Sequence, residues 1–261
     1  MRAAREHHVS CPKANGGQTM KAIYEFPMRL QVFLSKSTPL SRRKAEEAIE
    51  AGRVEVNGSV ITQMGFKVEK GDKVCLDGMN LFIPGDVRCY MLNKPRGCVC
   101  TNSDPHQKNY ARDYLSDVRE PERLFSIGRL DKDSQGLLLF TDDGALANKI
   151  IHPSGKIIKT YRVQVKEKLR QSDLYKMKDG IKLPDSPLPY KLSSFSLVSD
   201  NIAEVMLESG KNREIRKLFE NFDYTIEKLI RIRIGQLELG DLKEGHYRKL
   251  NGTDIDRIFQ K

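Results

Sequence analysis

Apolar residues recur along the first third of the chain in short, sharply bounded runs. Leu30, Val32, Phe33 and Leu34 crowd one segment and predict a short helix that Pro39 stops. Ser41 suits the N-cap of a second helix, Arg42–Glu50, in which Ala45, Ala48 and Ile49 fall on one face. Gly52 suits its exit. Val54 and Val56 then alternate with Arg53 and Glu55, and Asn57-Gly58 predicts a tight hairpin turn. Two more short strands are expected near Lys67–Val68 and residues 73–76, with Lys70-Gly71-Asp72 as the turn between them. Pro84-Gly85-Asp86 reads as a linker, so residues 28–86 are expected to form one small domain.

The pattern then changes scale. Strand-like runs fall at residues 88–92, 136–141, 160–165, 202–207 and 230–237, with helical patterns at 145–151, 172–179 and 213–221. Pro184, Pro187 and Pro189 mark a loop. Strands dominate and helices interrupt them irregularly. The expected fold class is therefore α+β, with a mixed, mainly antiparallel sheet and flanking helices over residues 87–261. Residues 1–27 carry scattered Arg, His and Gly without periodicity or an apolar core. They are expected to be a disordered tail, or to precede a true start at Met20 or Met28.

Composition narrows the class. The 261 residues are 39% hydrophobic and 31% charged, with a formal charge of +10. No window nears the ~18 apolar residues of a membrane span, and the basic balance favours a polyanionic partner, nucleic acid above all. The five cysteines (Cys11, Cys75, Cys89, Cys98 and Cys100) form no CxxC pair and no His/Cys cluster of the kind zinc needs. They are expected to be reduced thiols of a cytoplasmic protein. On a strand, Cys98 and Cys100 would share one face.

Residues 128–144, GRLDKDSQGLLLFTDDG, hold the most suggestive chemistry. Asp131 follows Arg129 and precedes an apolar run. An acid so placed is more often a turn or capping group, and becomes a reactive one only with partners elsewhere. Asp133 reads with Ser134 as turn chemistry, and Asp143 as the cap of the helix from Ala145. Arg129 either holds the turn or meets phosphate. Tyr161 lies on a strand, and Arg213 and Arg216 follow a Gly turn into a basic helix. Lys94 and Arg96 lie in a Pro/Gly turn after a strand. In the first domain Arg42, Arg43 and Lys44 fill the first turn of the second helix, with Arg29 on the first helix and Arg53 opening a strand. Cations at a helix N-terminus oppose the helix dipole; the surface is either phosphate-facing or merely solvated.

The helix–helix–hairpin plan with SRRKAEEAIEAGRVEVNG resembles the S4-type RNA-binding domain, which implies recognition of structured RNA by shape and phosphate. After it, MLNKPRG, GRLDKDSQGLLLFTDDG, KTYRV and ESGKNREIRKL occur in the order seen in the RsuA-type pseudouridine synthases, which the chain resembles over most of residues 87–250. The resemblance implies isomerisation of a uridine in ribosomal RNA, free or in a pre-ribosomal particle, by a cofactor-free monomer. It implies Asp131 as the essential aspartate, Tyr161 as the tyrosine beside the base and Arg216 as the partner of Asp131. Arg129, Lys94, Arg213 and Leu229 become substrate contacts, and no metal ligand is implied. The sequence departs from the family pattern at Glu214, where glutamine is usual, and at Lys217-Leu218, where Arg-Met is usual. Two other classes compete: a catalytically silent RNA-binding assembly factor, and a metal-dependent RNA-processing enzyme using Asp131 and Asp133.

Overall fold

The computed structural model describes residues 24–101 and 109–260. The first domain opens with β1 (Met28–Arg29), α1 (Leu30–Ser37) and α2 (Arg42–Glu50). The Thr38 hydroxyl donates to Leu34 O at 2.7 Å and closes α1 before Pro39. Ser41 Oγ accepts from Lys44 N at 3.2 Å, a cap worth about 1 kcal/mol. Ala45, Ala48 and Ile49 bury the expected face of α2 against Leu30, Phe33 and Leu34 of α1.

Strands β2 (Val54–Val56) and β3 (Ser59–Val60) join through Asn57 and Gly58, at φ 53° and 81°, the left-handed pair such a turn requires. Then come β4 (Lys67–Val68), β5 (Val74–Leu76) and β6 (Met79–Asn80). β5 is the strand expected at residues 73–76, whereas β6 and the Asp77-Gly78 turn that leads to it have no counterpart in the expected elements. Three residues lie elsewhere than expected. Arg29 lies in β1, paired with Lys67, and not on the helix. Tyr24 and Phe26, expected in the tail, pack against the first domain's core. The rest of the expected tail, residues 1–23, and the end of the chain at residue 261 lie outside the described residues.

The second domain is built on a nine-stranded sheet. Its strands are β7 (Cys89–Lys94), β8 (Phe125–Ile127), β9 (Gln135–Thr141), β10 (Lys159–Val165), β11 (Ser194–Ser199), β12 (Ile202–Leu207), β13 (Ile226–Ile234), β14 (Leu237–Glu238) and β15 (Tyr247–Lys249). The order is β11-β12-β10-β13-β9-β7-β15, with β8 on β9 and β14 on β13. Every pairing is antiparallel except β13 with β9. The helices are α3 (Gly144–Ile151), α4 (Gln171–Asp179), α5 (Glu214–Glu220) and α6 (Gly252–Phe259). The α+β expectation holds.

β9 is a continuous apolar run because both its faces are covered. Leu137 and Leu139 join Leu146 and Ile150 of α3 and Ile255 and Ile258 of α6 in one core. Leu138 and Phe140 point the other way, into a core with Cys98, Leu115 and Leu130. A further core joins Val163 and Val205 to Leu174 of α4 and to Leu218 and Phe219 of α5.

The expected strand 230–237 is broken in two. At Gly235 the chain turns with φ 56°, and a Cβ there would lie 2.1 Å from Ile258 O of α6, so the turn is pressed against that helix. Cys98 and Cys100 are not on a strand, since β7 ends at Lys94. Asp143 caps α3 as expected, accepting from Ala145 N and Leu146 N. It also meets Lys36 of α1 at 3.4 Å, while Arg123 donates to Lys36 O, so α1 is joined to the start of α3. Among the described residues no helix is long and apolar enough to cross a membrane.

Candidate active site

The turn between β8 and β9 carries Asp131, and its shape is fixed from beneath. Lys94, at the end of β7, is wholly buried. Its ammonium donates to Ser134 O at 2.8 Å, Pro95 O at 3.1 Å and Lys132 O at 3.4 Å. Burial pushes the Lys94 ammonium below the ordinary lysine range, against the opposing pull of Cys98, Cys100, Asp131 and Asp133. Gly97 N also donates to Lys132 O at 2.8 Å, and Ser134 N to Asp131 O at 3.0 Å. Leu130 N donates to Cys100 Sγ at 3.3 Å while the Leu130 side chain sits in the core. Burial raises both the Cys98 and the Cys100 thiol, which keeps them as neutral packing groups. Lys94 is thus a post under the turn, not an exposed cation as the role of a substrate contact requires.

Beyond the turn, Gly136 lets β9 approach β13. Its φ is 98°, and a Cβ there would fall 2.3 Å from Arg231 O. Only glycine fits both demands. The backbone five residues after Asp131 is therefore pinned to the strand whose Arg231 pairs with Tyr161.

Arg216 reaches the same turn from α5. Its Nε lies 3.8 Å from Asp131 Oδ2, and its Nη2 donates to Asp133 O at 3.3 Å and to Ser134 Oγ at 3.4 Å. The Arg216 side chain is 11% exposed and that of Asp131 38%. Burial and the nearby Arg213 lower the Arg216 guanidinium, and Asp131 and Asp133 offset part of this. Asp133 itself turns outward to Arg96 at 3.8 Å. No group of three or more metal-binding side chains occurs among the described residues.

Tyr161 is half-buried at the seam where the core under α4 and α5 meets the core under the Asp131 turn. The structure therefore brings Asp131, Arg216 and Tyr161 to one region from three distant segments. Arg129 is exposed beside the turn. Arg213 stands at the N-cap of α5 with φ 52°, ion-paired to Glu220 at 3.6 Å. Leu229 is 4% exposed within the α4/α5 core, a packing position. Glu214, the departure from the family pattern, is buried and binds Ser209 Oγ at 2.6 Å and Lys211 N at 3.2 Å, folding the loop before α5.

In the first domain Arg42, Arg43 and Lys44 are all exposed. Arg42 reaches Gly144 at the start of α3, and Arg53 is bound through its Nε to Asp77 Oδ1 at 2.9 Å. Arg43 and Lys44 are left as the outward cations of this helix.

A small helix–hairpin domain is thus joined to a sheet domain that presents a carboxylate, a largely buried arginine and a tyrosine. Comparison with known proteins specifies the class. The profile of the RNA pseudouridylate synthase family matches residues 88–221, and that of the S4 domain matches residues 28–74. An uncharacterised RNA pseudouridine synthase of Borreliella burgdorferi is 40% identical over 235 residues, 88% of this chain and 92% of the relative. Ribosomal large subunit pseudouridine synthase B of Bacillus subtilis is 36% identical over 234 residues, 88% and 95% of the two chains. A crystal structure of a pseudouridylate synthase superposes with a TM-score of 0.66 at 28% identity, over 88% of this chain and 99% of that one. The chain belongs to the RNA pseudouridine synthase family. It is a pseudouridine synthase with an S4 RNA-binding domain, as the RsuA-type resemblance implies.

Proposed function

We propose that this enzyme converts a particular uridine of ribosomal RNA to pseudouridine, with Asp131 as the essential catalytic residue. The observation that carries the reading is the Asp131 carboxylate itself. It is partly exposed on a turn pinned by buried Lys94, with Arg216 at 3.8 Å. In the overall reaction the N1–C1′ bond breaks, a C5–C1′ bond forms, the C5 proton is lost and N1 gains one. Every atom is conserved apart from exchange with water, so no reductant is required. Asp131 acts at the sugar or the base as nucleophile or base. Tyr161 stacks on the extruded uracil and relays the last proton.

Flipping the nucleotide costs about a few kcal/mol, which phosphate contacts offset. Arg129 beside the turn and Arg213 at the start of α5 supply such contacts. In the domain over residues 28–86, Arg29, Arg43 and Lys44 supply more, and residues 87–261 form the catalytic domain. The Bacillus subtilis relative's name supports ribosomal RNA as the substrate, and a ribosomal substrate goes with work in the cytoplasm. Asp131, Tyr161 and Arg216 all come from one chain, which supports action as a monomer. Mapping pseudouridine in ribosomal RNA from cells with and without this protein tests the reading. One site is expected to vanish with the gene, and an unchanged map would refute it.

A further inference from the structure

Arg231 has no part in the mechanism above, yet it is the least satisfied charge near the site. It is 3% exposed. Its Nε donates to Leu137 O at 2.7 Å, bridging β13 to β9. Its Nη2 is buried and has no hydrogen-bond partner among the described residues. Four other arginines hold a buried, unpartnered nitrogen: Arg88, Arg123, Arg216 and Arg233. Each of those has a carboxylate within 4 Å. Arg231 has none among the described residues. The groups that face it are Lys159, which it disfavours as a cation, and the Cys100 thiol. A buried guanidinium with a free N–H and no counter-charge is expensive unless something supplies an acceptor.

Its position says what does. Arg231 is the direct cross-strand partner of Tyr161. Residues directly opposite on an antiparallel pair lie on one face with Cβ atoms about 5 Å apart. The residue that carries the free donor is thus the strand neighbour of Tyr161, on whose ring, under the proposed function, the extruded uracil stacks. Arg231 is buried, whereas Arg129 and Arg213, assigned to phosphate above, are exposed. We propose that Arg231 is a base-binding residue of the reaction, its Nη2 donating to a carbonyl oxygen of the flipped uracil. When the N1–C1′ bond breaks heterolytically, the electron pair passes to the ring and charge builds on O2 and O4. A fixed donor there stabilises the departing base more than the bound one.

This inference rests on the proposed function, and its test keeps the two separable. Purified wild type, Arg231→Lys and Arg231→Met are assayed on [5-³H]uridine-labelled ribosomal RNA, since loss of the C5 proton releases tritium. Thermal unfolding and the salt dependence of RNA binding are measured on the same preparations. Arg231→Met is expected to lose about a hundredfold in kcat, the scale of removing one oxyanion donor, with KM little changed. Arg231→Lys is expected to recover part of the loss. The salt slope is expected to stay put, whereas removal of a phosphate-binding cation would lower it by about one.

Near-wild-type turnover in both variants overturns the proposal. So does a loss confined to KM, a lowered salt slope, or an equal loss in both variants that tracks their unfolding temperatures. If Arg231→Met does not fold, the kcat and KM of Arg231→Lys decide. Absence of tritium release by the wild type would refute the proposed function first, and the role of Arg231 with it.

Discussion

Arg216 Nε stands 3.8 Å from Asp131 Oδ2, within reach of the charge but beyond a hydrogen bond. The hydrogen bonds of Arg216 go to Asp133 O and Ser134 Oγ instead. The arginine therefore shapes the turn, and the lone pairs of the Asp131 carboxylate stay available for chemistry. That division of labour sets the expectations that follow.

Lysine cannot reproduce it. A guanidinium spans the turn with two nitrogens, whereas an ammonium is a point charge. Arg216→Lys is expected to lower kcat about a hundredfold through misplacement of Asp131 by as little as ~1 Å, with KM nearly constant. Steady-state kinetics on the RNA substrate checks this; an unchanged kcat would show that the charge alone suffices.

Lys94 gives a pH signature of two opposite signs. Its protonated form holds the three carbonyls, and burial lowers its pKa below 10.5. Activity is therefore expected to fall as pH rises through that lowered value, and Lys94→Met is expected to lack this alkaline limb at a lower plateau. Stability moves the other way. Between the lowered folded-state value and 10.5 the unfolded chain binds more protons, so this group's contribution to stability rises with pH. Parallel pH profiles of kcat and of the urea midpoint separate the two. Profiles that fall together would mean that Lys94 does not hold the turn.

Gly136→Ala is expected to be severe although it adds one methyl group. The residue would face φ 98° and a backbone oxygen at 2.3 Å. Strain and overpacking together are expected to cost about 3 kcal/mol or more. Denaturant unfolding measures it, and a loss under about 1 kcal/mol would mean that β9 and β13 separate easily.

In the S4 domain, alanine at Arg43 and Lys44 is expected to weaken RNA binding and flatten its salt slope by about 0.7–0.9 for each phosphate no longer neutralised. Arg53→Ala is expected to change the slope less, because Asp77 already partners that charge. Equal slopes for all variants would make this face a solvated one.

Much of the fold is legible in the chain. The α2 cap at Ser41, the Asn57-Gly58 hairpin and the buried β9 run follow from local rules, because propensity, periodicity and turn chemistry agree there. The elements that escape are those whose signal is weak or tertiary. β11, with the sequence SFSLVS, is an exposed edge strand whose Ser-Phe-Ser-Leu alternation is short and breaks at Val198. α6 carries both a capping box, formed by Asn251 and Asp254, and an apolar stripe at Ile255, Ile258 and Phe259, cues that are present in the sequence but confined to eight residues.

At the site, motif order brings Asp131, Tyr161 and Arg216 together, but it does not say what each neighbour touches. Lys94 looks like a surface cation in the sequence because only the fold shows three carbonyls converging on it. Gly136 within an apolar run is a readable mark of close backbone approach. Arg231, a charge on the buried face of a strand, is the other readable anomaly.

The central claim is that Asp131 carries the isomerisation of a ribosomal uridine. Its most direct test is pseudouridine mapping on ribosomal RNA incubated with purified wild type or Asp131→Asn, with RNA binding measured alongside. The expected result is one uridine converted by the wild type and none by the variant, at similar RNA affinity. Conversion by Asp131→Asn at the wild-type rate, or none by either protein, would contradict it.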